Sequence, residues 1–263
     1  MKVAVSGKGG VGKTLIAGGL AASLVKRGFK VLAIDADPSP NLALMLGLKA
    51  SEAVKIKPIS EDKDLIQRKT YTGYPGIYRL QFRVDDIVEE YAVDTPLGVS
   101  LLVMGTVKGA EGGCTCPANA LLRVLMRHLV VERGEAVVMD MEAGVEHLGR
   151  GTAKHVDYML IVSEPSYRSL STALKIHELS KSLGIPNIQA VGNKVSGPGD
   201  EAAIRKFFSE AGIPLIGLIP FDEAVVEAER AGSTPLLLSN KSRAVASIEA
   251  LAEKLVGKIE KTA

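Results

Sequence analysis

A glycine-rich stretch at residues 7–14 decides the fold; it reads Gly7-Lys8-Gly9-Gly10-Val11-Gly12-Lys13-Thr14. It matches the phosphate-binding pattern G-x-x-x-x-G-K-[ST] and lies between a predicted first strand and a helix-forming run. Backbone N–H groups of such a loop converge on phosphate oxygens, and the following helix adds positive potential. We predict that Lys13 bridges the β- and γ-phosphates of a nucleotide and that Thr14 offers its hydroxyl to Mg²⁺. The residues predicted to bind the nucleotide here are Gly9, Gly10, Val11, Gly12, Lys13, Thr14 and Leu15.

Short apolar runs, most of them bounded by Gly, Pro, Asp or Asn, predict seven strands. They cover residues 2–5, 30–34, 99–104, 136–139, 157–162, 188–192 and 215–219. Segments of helical period mostly alternate with them, at residues 13–27, 117–132, 168–183, 200–211 and 242–260. This alternation predicts an α/β fold, with a mostly parallel sheet of seven or eight strands and helices on both faces.

The chain has 263 residues, and we expect residues 1–263 to form a single ATPase-type domain of this α/β class. Residues 51–98 break the strand-helix rhythm, because they are polar and interrupted by proline and glycine. They also hold four of the six tyrosines. We interpret this stretch as an elaboration of the domain that is either functional or partly mobile.

Charge and hydropathy argue against two classes of partner. There are 32 Lys plus Arg against 30 Asp plus Glu, a formal net charge of +2, which is too small to indicate nucleic-acid or membrane binding by bulk electrostatics. No apolar run approaches the ~18 residues of a membrane span. The amino terminus leaves no room for a signal peptide before the glycine-rich stretch, so we expect a cytoplasmic protein.

Polar residues end several of the predicted strands, where open parallel sheets bind their ligands. Asp35 and Asp37 follow the second strand, although either carboxylate could instead cap the next segment. Asp140 ends an apolar strand in the manner of a Walker B element and is predicted to hold Mg²⁺ directly or through water. Asn193, Lys194, Pro220 and Asp222 end two further strands.

Cys114 and Cys116 form a Cys-x-Cys pair directly before Pro117, a residue suited to open a helix. Residues two apart in an extended segment project to the same side, and the helix amino end favours the metal-binding thiolate. A twofold dimer would bring four sulfurs together, enough for Zn²⁺, Ni²⁺ or an iron–sulfur cluster. An intersubunit metal site, a cluster and inert cysteines all remain open on this pattern.

The loop with its additional Lys8 resembles that of the deviant Walker A ATPases, which include the nitrogenase iron protein and the septum-positioning and plasmid-partitioning ATPases. This resemblance implies an ATP-dependent homodimer in which Lys8 reaches the partner's nucleotide. It also implies that Asp37 orients the attacking water and that Asn193 reads adenine. The segment with Pro220 and Asp222 resembles the lining of the family's adenine pocket.

A narrower resemblance rests on the Cys-x-Cys element and on Met139-Asp140-Met141-Glu142-Ala143-Gly144. Both are similar to the nickel-inserting accessory ATPases of carbon monoxide dehydrogenase and the relatives that serve acetyl-CoA synthase. The resemblance implies ATP/ADP, Mg²⁺ and Ni²⁺, for which Zn²⁺ could substitute, with one of those enzymes as client. His147 is then more readily a switch histidine than a metal ligand. The alternatives are an iron–sulfur electron-transfer ATPase and a partitioning or positioning ATPase.

Overall fold

The computed structural model describes residues 1–37, 39–74, 77–79, 82–105, 117–132, 135–142, 153, 155–238 and 242–260. Its strands are β1 Lys2–Gly7, β2 Val31–Ala36, β3 Val93–Asp94, β4 Ser100–Val103, β5 Ala136–Met141, β6 Tyr158–Ser163, β7 Ile188–Val195 and β8 Leu215–Pro220. Its α-helices are α1 Lys13–Lys26, α2 Leu42–Met45, α3 Ala50–Ala53, α4 Lys63–Thr70, α5 Asp85–Tyr91, α6 Pro117–Arg127, α7 Tyr167–Ser182, α8 Pro198–Glu210, α9 Glu223–Arg230 and α10 Arg243–Glu260.

One sheet joins the eight described strands in the order β3-β4-β2-β5-β1-β6-β7-β8. All pairs are parallel except β3 with β4, which is antiparallel at the sheet edge. Every residue of β1, β2, β5 and β6 is buried, which explains why their sequences lack polar alternation. The predicted α/β class with seven or eight mostly parallel strands is confirmed.

Helices cover both faces of the sheet and form two hydrophobic cores. On one face α1 and α10 pack together, with Leu20 and Ile248 fully buried between them and the sheet. On the other face α6, α7 and α8 contribute buried residues such as Leu121 and Phe208. The ion pairs Lys26–Glu249 (2.6 Å) and Arg27–Glu253 (2.7 Å) also join α1 to α10. None of the helices in the described ranges has both the length and the apolarity needed to cross a membrane.

The predicted helix 117–132 begins at Pro117 as expected but changes character near its end. α6 stops at Arg127, and His128–Glu132 form a π-helical turn. The buried Lys2 ammonium group donates to the Leu129 carbonyl (3.3 Å) and to the Glu135 carbonyl (2.9 Å). Because a side chain that captures a helix carbonyl disturbs the regular ladder, this contact gives a physical reason for the wider turn.

Much of the polar stretch 51–98 folds against the second core. It holds α3, a 3₁₀ turn at Ile59–Glu61, α4, α5 and β3, and its Ile59, Leu65 and Ile87 are at most 1% exposed. Asp62 begins α4 by accepting a hydrogen bond from the Leu65 N–H (3.1 Å). Three of its tyrosines, Tyr71, Tyr74 and Tyr78, remain exposed.

Candidate nucleotide site

The glycine-rich loop joins the end of β1 to the start of α1 at the carboxyl edge of the sheet. Gly10 and Gly12 have φ values of 80° and 92°, which side chains other than glycine rarely adopt. A Cβ atom on Gly12 would also collide with the Asn193 side-chain amide. The pattern of glycines therefore follows from both backbone conformation and close packing.

Thr14 and Asp140 meet directly in this site. The Thr14 hydroxyl donates to Asp140 Oδ2 (2.6 Å), and Asp140 is 1% exposed. Burial raises the pKa of Asp140 to about 7; the hydrogen bond from Thr14 opposes that rise, and the negative charge of Asp35 adds to it. Asp140 Oδ1 is buried and has no hydrogen-bond partner among the described residues.

The unpartnered Oδ1 of Asp140 bears on whether Thr14 and Asp140 fit a magnesium ion. Burying a carboxylate oxygen without a hydrogen-bond partner destabilises the protein, and a bound ligand that contacts this oxygen removes that cost. Mg²⁺ prefers hard oxygen ligands, commonly one or two carboxylates together with substrate phosphates. The Thr14 hydroxyl and the Asp140 carboxylate therefore fit the predicted Mg²⁺ site.

Lys13 is nearly buried and lies close to the predicted water-orienting carboxylate. Its Nζ is 4.0 Å from Asp37 Oδ2, with the two side chains 7% and 23% exposed. Lys13, predicted to bind phosphate, and Asp37, predicted to orient water, therefore lie close together.

Asp35 has the capping role that was left open from the sequence. It is fully buried and accepts hydrogen bonds from the N–H groups of Leu42 (2.9 Å) and Asp37 (3.2 Å). Burial raises its pKa to about 6, against the effect of these hydrogen bonds. Asp35 therefore fixes the chain between Asp37 and the start of α2.

Two residues at the end of β7, which was predicted to bind the adenine base, form hydrogen bonds to the phosphate-binding loop. The Asn193 amide nitrogen, in a residue 3% exposed, donates to the Val11 carbonyl (2.7 Å). The Lys194 ammonium group donates to the Gly10 carbonyl (2.6 Å). Both side chains therefore join the end of β7 to the phosphate-binding loop.

Asp222 joins two helix ends. Its carboxylate accepts hydrogen bonds from Ala224 N–H (3.0 Å) at the start of α9, and from Ser242 Oγ (2.8 Å) and Ala244 N–H (3.1 Å) at the start of α10. Burial alone would raise the pKa of Asp222, but these hydrogen bonds hold it below its usual value. Asp222 shapes the wall of the site while its own oxygens are engaged by protein donors.

A pocket of about 610 Å³ runs from the loop to these strand ends. It is lined by most of the predicted residues, namely Gly10, Gly12, Lys13, Thr14, Leu15, Asn193, Lys194, Pro220 and Asp222. The predicted residues Lys8, Gly9, Val11, Asp37 and Asp140 are not in its lining. Sequence reasoning missed the opposite wall, formed by Asn41, Leu44, Met45, Val225, Val226, Glu229 and Thr234. Short helices far apart in the chain supply this wall, so no local pattern marked it.

Lys8 is half-buried at the first position of the loop turn, where the Val11 N–H donates to the Lys8 carbonyl (3.4 Å). Within the described residues no hydrogen bond or ion pair engages its ammonium group. The group is therefore available for a charge outside its own loop.

The predicted thiol site, Cys114 and Cys116, lies outside the described residues, and so does His147. Across the part of the chain that is described, no three His, Cys, Asp or Glu residues are grouped so that they could hold a metal. Before the cysteines, the described part of the chain ends at Gly105, shortly after β4. The preceding residue, Met104, donates its N–H to the Asp35 carbonyl (2.8 Å).

Comparison with known proteins defines the class. Residues 2–236 match the CobQ/CobB/MinD/ParA nucleotide binding domain. A MinD protein in the MinC:MinD cell division complex of Aquifex aeolicus superposes with a TM-score of 0.69 at 24% identity, covering 98% of this chain and 96% of that one. The chain belongs to the CobQ/CobB/MinD/ParA family of nucleotide-binding proteins. This agrees with the deviant Walker A loop predicted at residues 7–14.

Two relatives narrow the assignment within this family. The chain is 45% identical over 261 residues to the carbon monoxide dehydrogenase accessory protein CooC of Rhodospirillum rubrum, with 97% of each protein covered. It is 42% identical over 246 residues to an uncharacterized ATP-binding protein of Methanocaldococcus jannaschii, covering 92% of this chain and 93% of that protein. The predicted similarity to the CooC type is confirmed.

Proposed function

We propose that this chain is a Mg²⁺-dependent ATPase that works as a metallochaperone in the maturation of carbon monoxide dehydrogenase or acetyl-CoA synthase. The observations that carry the ATPase part are the hydrogen bond from Thr14 to Asp140 and the approach of Lys13 to Asp37, since Lys13 and Thr14 both line the pocket. The similarity to CooC along nearly the whole chain supports the client.

In the proposed reaction, Lys13 binds phosphate oxygens, and Thr14 and Asp140 hold Mg²⁺, which neutralises phosphate charge. When Lys13 pairs with phosphate, Asp37 is released from its present neighbour and orients the attacking water. Asp35 keeps Asp37 in place through its hydrogen bond to the Asp37 N–H. Pro220, Asn193 and Lys194 border the part of the pocket that receives adenine.

Lys8 acts across a homodimer in this proposal. Its ammonium group is not engaged by described residues, so it can neutralise phosphate charge on the nucleotide of the partner subunit. Loss of the γ-phosphate after hydrolysis removes part of that attraction. The dimer therefore changes its closure with the state of the nucleotide.

The cargo is Ni²⁺, held by Cys114 and Cys116 of both subunits, and Zn²⁺ is the expected substitute. In this proposal, dimer closure sets the geometry of the four thiols, so the state of the nucleotide and the affinity for the metal are coupled. No membrane or nucleic-acid partner is required.

The test is metal analysis of anaerobically purified protein, compared with the Cys114→Ala/Cys116→Ala double variant. We expect about one nickel per wild-type dimer, no stoichiometric nickel in the variant, and equal ADP affinity in both proteins. Loss of ADP binding in the variant would show that the cysteines are structural. Stoichiometric iron and sulfide in wild type would favour the iron–sulfur electron-transfer alternative, and ATP-dependent DNA or liposome binding the partitioning one.

A further inference from the structure

Lys194, at the end of β7, has an unusual backbone. With φ at 57°, it is the one non-glycine residue in the left-handed region among those the structure describes. This conformation costs free energy for any residue with a Cβ, and such strain is kept where the surroundings over-determine it. The ammonium contact accounts for it, because this backbone directs the Lys194 side chain to the Gly10 carbonyl (2.6 Å).

The residue before it makes a parallel contact. Asn193 donates to the Val11 carbonyl (2.7 Å), so two successive residues of β7 hold two successive carbonyls of the phosphate-binding loop. Asn193 is buried, whereas Lys194 is exposed and could point into solvent without loss of packing. The Lys194 contact is therefore formed by charge-assisted hydrogen bonding rather than imposed by burial.

The loop at this point has few other restraints. A Cβ placed on Gly9 or Gly10 would meet no atom within 4 Å, so open space lies on that side of both residues. Inside the loop, the turn from Lys8 to Val11 is closed by a long hydrogen bond of 3.4 Å. The orientation of Lys8, the first residue of this turn, thus depends on how the carbonyls of Gly10 and Val11 are held.

We propose that Lys194 is a positioning residue for Lys8: its ammonium group fixes the Gly10 carbonyl and so holds the Lys8–Val11 turn in the orientation needed for dimer-dependent hydrolysis. Lys194 borders the pocket, but in this role its ammonium group acts on the loop. This inference rests on the proposed function, in which Lys8 acts on the partner's nucleotide.

Three substitutions in the full-length chain separate the side chain from the backbone. Lys194→Met removes the donor at similar length, Lys194→Arg keeps a donor, and Lys194→Gly removes the donor while accepting the left-handed backbone. Lys175→Met, an exposed lysine on α7, is the matched control. The readouts are hydrogen exchange of the peptide that contains Val11 without nucleotide, and steady-state ATP hydrolysis.

We expect Lys194→Met and Lys194→Gly to speed exchange at Val11 and to lower kcat, each by about tenfold, with the KM for ATP changed less than about threefold. Lys194→Arg and Lys175→Met stay near wild type. A raised KM for ATP with unchanged hydrogen exchange would identify Lys194 as a nucleotide ligand and overturn the proposal. The proposal would also be overturned if Lys194→Met changed exchange and kcat but Lys194→Gly did not. If the wild type forms no ATP-dependent dimer, the proposed function fails, while the exchange comparison still tests the Lys194 contact.

Discussion

At the scale of single residues, Lys13 has two competing anions. Its ammonium group is 4.0 Å from Asp37, and the phosphate of a bound nucleotide would need the same charge. Binding must therefore weaken one ion pair to form another. In the proposed mechanism, Asp37 therefore lowers nucleotide affinity while it orients the attacking water.

Asp37→Asn should separate these two effects. We expect ADP to bind several-fold more tightly, because Lys13 loses its competing carboxylate, and single-turnover hydrolysis to slow by about 10²-fold or more. Titration with a fluorescent ADP analogue and quenched-flow hydrolysis measure the two quantities. Asp37→Glu keeps the charge and is the control for affinity. Weaker ADP binding by Asp37→Asn would contradict this account.

Gly12→Ala tests the loop geometry. The substitution places a side chain at φ 92° and against the Asn193 amide, so the loop must shift and lose its contact with Asn193. We expect at least about a tenfold loss of ADP affinity, since left-handed strain alone costs roughly 1–2 kcal/mol. Gly9→Ala, where a Cβ meets nothing within 4 Å, should bind ADP almost normally. Equal losses in the two variants in isothermal titration calorimetry would disprove this explanation.

The sequence could predict Lys13, Thr14 and Asp140 because each belongs to a motif whose spacing is set by phosphate and metal chemistry. It could not predict that Asn193 holds Val11, since 182 positions separate the two residues along the chain. For the same reason the capping role of Asp35 was left open, and that of Asp222 was not predicted. In the sequence, a carboxylate at a strand end that binds a ligand cannot be distinguished from one that accepts hydrogen bonds from backbone N–H groups.

At the scale of elements, Asp62 holds α4 and α5 together. It accepts from the Leu65 N–H (3.1 Å) and the Tyr91 hydroxyl (2.9 Å), and it pairs with Lys57 (3.2 Å). The hydrogen bond from Leu65 is the main reason why the pKa of Asp62 lies below its usual value. The ion pairs Arg68–Glu90 (3.1 Å) and Lys69–Asp86 (2.6 Å) also join α4 to α5, but they are more exposed than Asp62.

Asp62→Ala should lower the free energy of unfolding by about 1–2 kcal/mol, the usual effect of losing a helix N-cap. Chemical denaturation measures it, and Asp64→Ala, an exposed residue in the first turn of the same helix, should change it far less. Equal effects of the two variants would refute the capping role.

The pH dependence of this contribution has a definite sign. Because the folded pKa of Asp62 lies below the unfolded value of about 3.9, the charge stabilises the fold above that pH and the contribution is lost as the pH falls through the folded pKa. Asp62→Asn should therefore lose its stability difference from wild type between about pH 5 and pH 2. A difference that persists or grows on acidification would contradict the assignment.

Elements with strong periodicity were predictable, and those without it were not. All seven apolar runs became strands and the five helical segments became helices, since buried parallel strands and amphipathic helices carry a clear pattern. β3 has two residues and forms an antiparallel edge, which is too short for a pattern. α4 and α5 bury Leu65 and Ile87 behind mostly charged sequence, so their packing was hidden by their composition.

At the scale of the whole molecule, the proposed function couples the nucleotide site at the carboxyl edge of the sheet to the thiols of Cys114 and Cys116. Such coupling is reciprocal: if ATP changes nickel affinity, nickel changes ATP affinity by the same factor, and couplings of about 1–3 kcal/mol are usual. In the proposed function this coupling passes through dimer closure, with Lys8, which has no partner among the described residues of its own chain, acting on the partner's nucleotide.

The most direct test is a nickel titration of the anaerobic, full-length protein in three forms: without nucleotide, with ADP, and with a non-hydrolysable ATP analogue and Mg²⁺. Isothermal titration calorimetry gives the affinities, and light scattering of the same samples gives the mass. We predict a dimer in the ATP form and nickel affinities that differ between the ATP and ADP forms by about fivefold or more. Equal nickel affinity in all three forms, at whatever mass, would contradict the central claim.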